Sequence, residues 1–327
     1  MKAVIITRPG GPEVLQLQDR PVPEPGVGEI RVRVRGSALN RADVLQRGGN
    51  YPVPAGSPED IAGMEYAGEV DALGDGARLW KKGDRVMGII GGGGHAEFVT
   101  VHEREAMPVP SGMSWENAAA IPEVFLTAYD ALFTRLNLRS GETLLIHAVG
   151  SGVGTAGVQL AKLTSARVVG TARSADKLAR VKELGLDVGI DSSRGDWVSQ
   201  VESALGANGV HAILELVGGN YLEGDLRVLA LKGRIVLVGL TAGAMTQLNM
   251  GVLLRKRGTI VGTVLRARPI EEKITLAREF ADRMIPQFES GRLKPIVDRV
   301  FSFDQIADAH RLMESNATLG KIVLVWR

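Results

Sequence analysis

Cysteine is absent from all 327 residues, and that absence removes disulfides, thiolate zinc sites, iron–sulfur ligation and cysteine nucleophiles at once. Charge of one sign is lacking too: the formal net charge is +2, from 39 Lys and Arg against 37 Asp and Glu. There is no block of about five or six like charges, so neither a nucleic-acid nor a membrane-surface partner is expected. No run of about 18 apolar residues is present, which excludes a hydrophobic spanning helix. Met1-Lys2-Ala3-Val4 leads at once into a strand-like run and gives no sign of a signal peptide, so the cytoplasm is the expected location. Internal repeats are missing, and low complexity is confined to the four glycines at 91–94.

What is present is ordinary globular material, 45% hydrophobic and 23% charged. The chain exceeds the roughly 250–300 residues at which one core stops growing, so two domains are expected. Its first part reads as short strands between Gly/Pro punctuation, at 3–7, 15–19, 29–37, 66–73, 85–89 and 96–101. From residue 143 the texture changes. Apolar strand runs at 143–147, 167–171, 188–190, 211–216, 234–238 and 259–263 alternate with helical stretches, the pattern of a parallel sheet made of βαβ units. Helices are expected over 153–164, from a Ser174 cap to a stop at Gly185, and over 220–231 and 248–256. A helical pattern at 270–288, a strand near 296–301, a helix at 303–313 and a strand at 321–325 follow.

The strongest local signal is Leu144-Leu145-Ile146-His147-Ala148-Val149-Gly150-Ser151-Gly152-Val153-Gly154, an apolar strand running through small residues into a helix. Such a turn lets the backbone approach a pyrophosphate, whose charge then meets the positive end of the helix. A literal Gly-x-Gly-x-x-Gly at Gly152, Gly154 and Gly157 would bury the tight turn inside the helix. The better register runs from Ala148 to Gly154, with Ser151, Gly152, Val153 and Gly154 at the phosphates. Alone, this could be any strand-to-helix turn; its place at the head of a βαβ unit favours a dinucleotide.

The second strand of that unit ends in Gly170-Thr171-Ala172-Arg173-Ser174-Ala175-Asp176-Lys177. NAD-specific proteins place an acid there for the ribose hydroxyl. No acid stands at this tip. Arg173, Ser174 and Lys177, just past Thr171, offer two cations and a hydroxyl to a 2′-phosphate, so NADPH is the expected cofactor. The alternative, a solvated helix start, is disfavoured because cations at a helix N-terminus oppose its dipole.

A series of ordered motifs resembles the medium-chain dehydrogenase/reductase superfamily and, within it, the zinc-independent quinone oxidoreductases. These motifs are Gly10-Gly11-Pro12-Glu13-Val14-Leu15, Ala38-Leu39-Asn40-Arg41-Ala42-Asp43, Gly63-Met64-Glu65-Tyr66-Ala67-Gly68, Lys82-Gly83-Asp84-Arg85-Val86, Ala118-Ala119-Ala120-Ile121-Pro122, Leu126-Thr127-Ala128, the glycine turn and Gly320-Lys321-Ile322-Val323-Leu324. The resemblance covers essentially the whole chain. It implies an α/β fold in which a Rossmann doubly wound parallel sheet (123–267) is inserted in a GroES-like, mostly β domain (1–122 and 268–327), with the active site in the cleft between them. Zinc alcohol dehydrogenases of this superfamily carry Gly-His-Glu where this chain has Gly63-Met64-Glu65. A thioether in place of an imidazole, with no cysteine anywhere, leaves no normal zinc donor set, and no metal is expected. Without a Lewis acid, hydride delivery to an electron-poor acceptor is easier than alcohol oxidation.

The resemblance implies that Asn40 and Tyr51 face the nicotinamide and substrate, where an amide and a phenol can hydrogen-bond a carbonyl oxygen as charge develops. Alternatively, Asn40 only caps the helix at 41–47 and Tyr51 packs against Pro52 and Pro54. Thr127 is expected under the nicotinamide and Phe125 in the substrate pocket, unless both merely pack a helix core. Gly239, Leu240 and Thr241 fall at the carboxyl edge, where nucleotides bind. Val264 and Leu265, with Arg266, can offer backbone groups to the carboxamide. His95 is either a pocket proton donor or a surface residue, and His147 sits at a strand end rather than in the chemistry. Asp191-Ser192 stands where many members have Asn-Tyr beside the 2′-phosphate, and Asn316 where some have a basic residue; both departures loosen the expected grip on that phosphate.

The expected activity is NADPH-dependent transfer of a hydride or electrons to quinones or related electron-poor carbonyl compounds. The alternatives are an alkenal or enoyl reductase on the same scaffold, or a low-turnover nucleotide-binding protein. The apolar last Rossmann strand would be an exposed edge in a monomer, so a homodimer is expected. Arg173→Glu should raise the Michaelis constant for NADPH far more than that for NADH; equal effects in steady-state assays would remove the phosphate role.

Overall fold

Short, β-branched runs interrupted by Gly and Pro cannot sustain helices, and they build the first sheet in the computed structural model, which describes residues 1–326. By internal contacts the chain forms two units, one from Met1–Leu126 with the stretch from Leu265 onward and one from Thr127–Val264.

The first unit contains β1 (Lys2–Ile6), β2 (Leu15–Asp19), β3 (Glu29–Ala38), α1 (Arg41–Arg47), β4 (Glu65–Leu73), β5 (Arg85–Ile89), β6 (Phe98–His102), β7 (Met107–Pro108) and α2 (Trp115–Ala119). Helix α3 (Pro122–Tyr129) runs across the division between the units. Strands β1 and β2 form a two-stranded sheet, bridged from Ala3 to Ala96, whereas β7, β5, β4 and β3 form an antiparallel series with β6 also on β3. On β3, Ile30, Val32 and Val34 alternate inward against Tyr66, Val70, Val86, Val99 and Val101, the period-two burial of a half-covered sheet.

The second unit alternates β8 (Thr143–Ile146), α4 (Gly152–Leu163), β9 (Arg167–Ala172), α5 (Ala175–Lys182), β10 (Val188–Asp191), α6 (Trp197–Leu205), β11 (Val210–Glu215), α7 (Tyr221–Val228), β12 (Leu229–Leu237), α8 (Met250–Lys256) and β13 (Thr259–Gly262). All six strands are parallel, in the order β10-β9-β8-β11-β12-β13. That order reverses direction between β8 and β11, the switch point of a Rossmann sheet. Leu145, Val169, Ile213 and Ile235 fill its centre, each fully buried, because a parallel sheet covered on both faces has no wet side.

The chain then returns through α9 (Ile270–Glu289), β14 (Val297–Ser302), α10 (Ile306–Glu314) and β15 (Lys321–Val325); β15 pairs antiparallel with β3 and extends the first sheet. The second unit therefore has Rossmann-type α/β architecture, and the first is built on a largely antiparallel sheet.

Three local expectations need correction. The helix expected over 220–231 stops at Val228, and Leu229 turns extended to pair with Val210. Helix α6 was not anticipated, although Asp196 accepts from Val198 N at its start and Val198, Val201 and Leu205 point inward at helical spacing. His95 does not lie in an exposed loop: it is fully buried, edge-on to Phe303. Among the described residues, no helix is long and apolar enough to cross a membrane.

Candidate active site

In the second unit the candidate site begins where β8 stops. Ala148 takes a left-handed conformation (φ 47°), costly for a residue with a Cβ, and turns the chain towards α4. Ser151 caps α4, its Oγ accepting from Gly154 N at 3.1 Å. Of the helix's opening donors, those of Gly152 and Val153 are the ones a phosphate would meet. A Cβ on Gly154 would lie 2.6 Å from Val149 O and 2.7 Å from Ala148 O, so that position excludes every other residue. Gly157 is inside the helix, in keeping with the Ala148-to-Gly154 register.

Arg173 is exposed at the tip of β9, while Ser174 caps α5 by accepting from Lys177 N at 3.4 Å. Thr171 is turned inward: its hydroxyl is buried against His147 Nδ1 at 2.9 Å, and its carbonyl accepts from Val149 N at 2.9 Å. Asp191 is engaged by Ser193 and Arg194, and the Ser193 hydrogen bonds hold its carboxyl below the usual range. A Cβ on Gly239 would meet Leu216 O at 2.5 Å, the second close approach on this edge. Leu240 and Val264 are exposed, Leu265 is half-buried, and Thr127 is buried.

Beneath this edge lies a cluster that the sequence reading missed. His147, Glu215 and Asp225 are fully buried and converge. His147 Nε2 is 2.7 Å from Asp225 Oδ1, and Glu215 Oε1 accepts from Val217 N and, at 2.8 Å, Gly218 N. Burial pushes the Glu215 carboxyl up to about 8 and that of Asp225 up to about 7, and pulls the His147 imidazole down to about 4. The available signal was one acid closing the apolar run 212–214 of β11.

In the first unit, Asn40 precedes α1 and its N–H donates to Asp43 Oδ2 at 2.8 Å, while Asp43 Oδ1 accepts from Gly63 N at 3.0 Å. The Asn40 amide is committed inward: Nδ2 donates to Glu65 Oε1 at 2.8 Å and Ala38 O at 3.3 Å, and Oδ1 accepts from Lys321 Nζ at 2.6 Å. Lys321 Nζ also donates to Glu65 Oε1 at 2.8 Å, and Glu65 Oε2 accepts from Glu123 N at 2.8 Å. Met64, beside this pair, is buried. Tyr51 is half-buried with the Arg266 guanidinium over its ring, 5.3 Å from the centroid. Arg266 donates to Gly91 O at 2.6 Å and Gln46 Oε1 at 2.8 Å, a side-chain role not anticipated. Phe125 is buried edge-on against Phe288 at 4.8 Å.

Comparison with known proteins agrees with this geometry. Residues 26–111 match the alcohol dehydrogenase GroES-like domain, and residues 152–283 match the family described as zinc-binding dehydrogenase. The chain belongs to the medium-chain dehydrogenase/reductase superfamily. Within it, the chain is 30% identical to a quinone oxidoreductase of Rattus norvegicus, over 99% of this chain and 98% of the relative. The structure of Escherichia coli quinone oxidoreductase complexed with NADPH superposes with a TM-score of 0.89 at 28% identity, covering 99% of this chain and all of that one (100%). That of CurK enoyl reductase gives 0.87 at 26% identity, covering 100% and 99%. The protein is therefore an oxidoreductase of this superfamily.

Lys321→Met would leave the Glu65 carboxylate buried without its cation. It should lower unfolding free energy by about 3–5 kcal/mol in a denaturant titration, and adding Glu65→Gln should restore much of the loss.

Proposed function

We propose that the protein is a zinc-independent, NADPH-dependent reductase of quinones or related electron-poor carbonyl compounds. The observation that carries the cofactor is the tight turn into α4 from β8, with Gly154 packed so close to the Ala148 and Val149 carbonyls that only glycine fits there. The NADPH-bound quinone oxidoreductase among the similar structures supports the same reading. The pyrophosphate would lie at Gly152 and Val153, the 2′-phosphate at Arg173, Ser174 and Lys177, and the nicotinamide end at Gly239, Leu240, Val264, Leu265 and Thr127. When bound, the nicotinamide supplies the hydride.

The remaining work falls to the chain's own groups. Tyr51 is the donor to the substrate oxygen: burial raises its phenol above the usual value, an effect only partly opposed by Arg266, so the proton stays on Oη. Asn40, whose amide hydrogens already serve Glu65 and Ala38, acts as a positioning residue. A zinc ion does not fit at residues 63–65, because Met64 offers a thioether and Glu65 is already paired with Lys321. Phe125 and His95, both buried, would stand behind the substrate pocket and support it rather than line it. The similarity to enoyl reductases supports the second reading, reduction of an activated carbon–carbon double bond.

A homodimer joined through β13 fits the same reading: it is the sheet's outer strand, and Leu254 and Val264 near it are exposed. A monomeric mass by light scattering would refute that assembly.

The deciding measurement is a steady-state screen of quinones and enones with NADPH and NADH, with and without chelator. Turnover should favour NADPH, survive chelation and fall about 100-fold in Tyr51→Phe. Failure to bind either nucleotide would overturn the proposal, as would loss of activity on removing zinc.

A further inference from the structure

His147 follows β8 and Glu215 closes β11, the two strands between which the sheet reverses direction. Asp225 reaches them from α7, and Thr171 from the end of β9. Because a carboxylate can only accept, the 2.7 Å contact to Asp225 Oδ1 places the hydrogen of His147 on Nε2, and Nδ1 then accepts from the Thr171 hydroxyl. Glu215 Oε1 is filled by Val217 N and Gly218 N. Two fully buried atoms remain with no hydrogen-bond partner, Glu215 Oε2 and Asp225 Oδ2, on neighbouring carboxyls. Two ionised carboxylates in contact inside a protein repel strongly, whereas one proton between them satisfies both orphan oxygens.

We propose that Glu215 and Asp225 share a single buried proton, donated from Glu215 Oε2 to Asp225, and that this protonated pair positions the strand-end turns that receive the nucleotide. The connection to those turns is covalent and hydrogen-bonded. Glu215 fixes the N–H groups of Val217 and Gly218; Val217 O accepts from Ala242 N at 2.7 Å, and Gly219 N donates to Gly243 O at 2.9 Å. The same carboxyl thereby anchors the segment after β12 that includes Gly239 and Leu240. His147 immediately precedes the Ala148 turn and, through Thr171, holds the strand end before Arg173. The nucleotide consequence rests on the function proposed above; the shared proton does not.

The charged surroundings are few. Glu215 and Asp225 act on each other and on His147. Trp197 of α6 and Tyr221 of α7 face the imidazole with their rings, 4.7 and 4.9 Å away by centroid. Arg227 of α7 pairs instead with Glu202 of α6 at 3.0 Å.

The pH dependence follows from the signs. The carboxyl pair holds its one proton more tightly folded than unfolded, so this stabilisation is complete at low pH and is lost as pH rises through about 8, the value for Glu215. His147 has the opposite sign, gaining stability as pH rises from about 4 to 6.5, so only the carboxyl effect remains above that window.

The test is infrared spectroscopy of the intact protein in D2O at neutral pH, where exposed carboxyls are ionised. A protonated carboxylic-acid carbonyl band should be present and should vanish in Glu215→Gln and Asp225→Asn, whose amides can donate the same hydrogen bond. Wild-type stability should fall between pH 6.5 and about 8, with the slope gone in Glu215→Gln. NADPH affinity in wild type should weaken over the same range by up to about tenfold per pH unit relative to Glu215→Gln. Absence of the band, or a stoichiometric bound metal lost with Asp225→Asn, would overturn the shared proton. A band with identical affinity profiles in wild type and variant would overturn the positioning role. If NADPH does not bind at all while band and stability slope persist, the nucleotide reading fails and the proton pair stands.

Discussion

A peptide backbone can approach a diphosphate closely only where no side chain intervenes, and in the first turn of α4 Gly154 has no space for one. Gly154 lies so near the Ala148 and Val149 carbonyls that any Cβ would push the helix off the turn. The left-handed Ala148 gives the same constraint from the other side: the chain accepts strain of about 1–2 kcal/mol there to aim the helix. The other strand ends then take their places. With β8 ending at this turn, His147 must lie underneath it, and only polar partners from neighbouring strand ends can satisfy a buried imidazole.

The first unit solves a different electrostatic problem. Glu65 is fully buried on β4, and an unpaired carboxylate there would cost several kcal/mol. Lys321 supplies the compensating charge, Asn40 bridges both, and the Glu123 N–H fills the remaining oxygen. Charge balance is complete from side chains and backbone alone. Met64 beside it adds an apolar wall rather than a donor, and the motif that would otherwise read as a metal site becomes a rigid support for α1.

Parallel-sheet architecture was legible because its strands are buried on both faces and so read as apolar runs, and because the glycine turn interrupts one of them in a recognisable way. The helix cap at Ser174 could be read for the same reason: capping is local chemistry. Helix α6 escaped because its start is marked by Asp196 after Gly195 within a polar stretch, where loop and cap signals look alike. The Leu229 transition escaped because an apolar, helix-compatible residue was drawn into pairing by Val210, a partner about twenty positions away. Site residues divided along the same line. Arg173 and Gly154 are intelligible from their neighbours in sequence, whereas Glu215, Asp225 and the Arg266 side chain acquire meaning only from partners that folding brings beside them.

The chemistry open to such a site is set by which proton donors remain neutral or charged at working pH. For Tyr51, burial and the Arg266 charge act in opposite directions, and burial is the larger effect. A phenol held in its protonated form can donate to an oxygen that gains charge but cannot readily draw a proton from an alcohol. Reduction of an acceptor that is already electron-poor needs the first ability and not the second. The guanidinium over the ring still matters for the proposed donor role, because its charge opposes the effect of burial and so eases negative charge on the phenol oxygen.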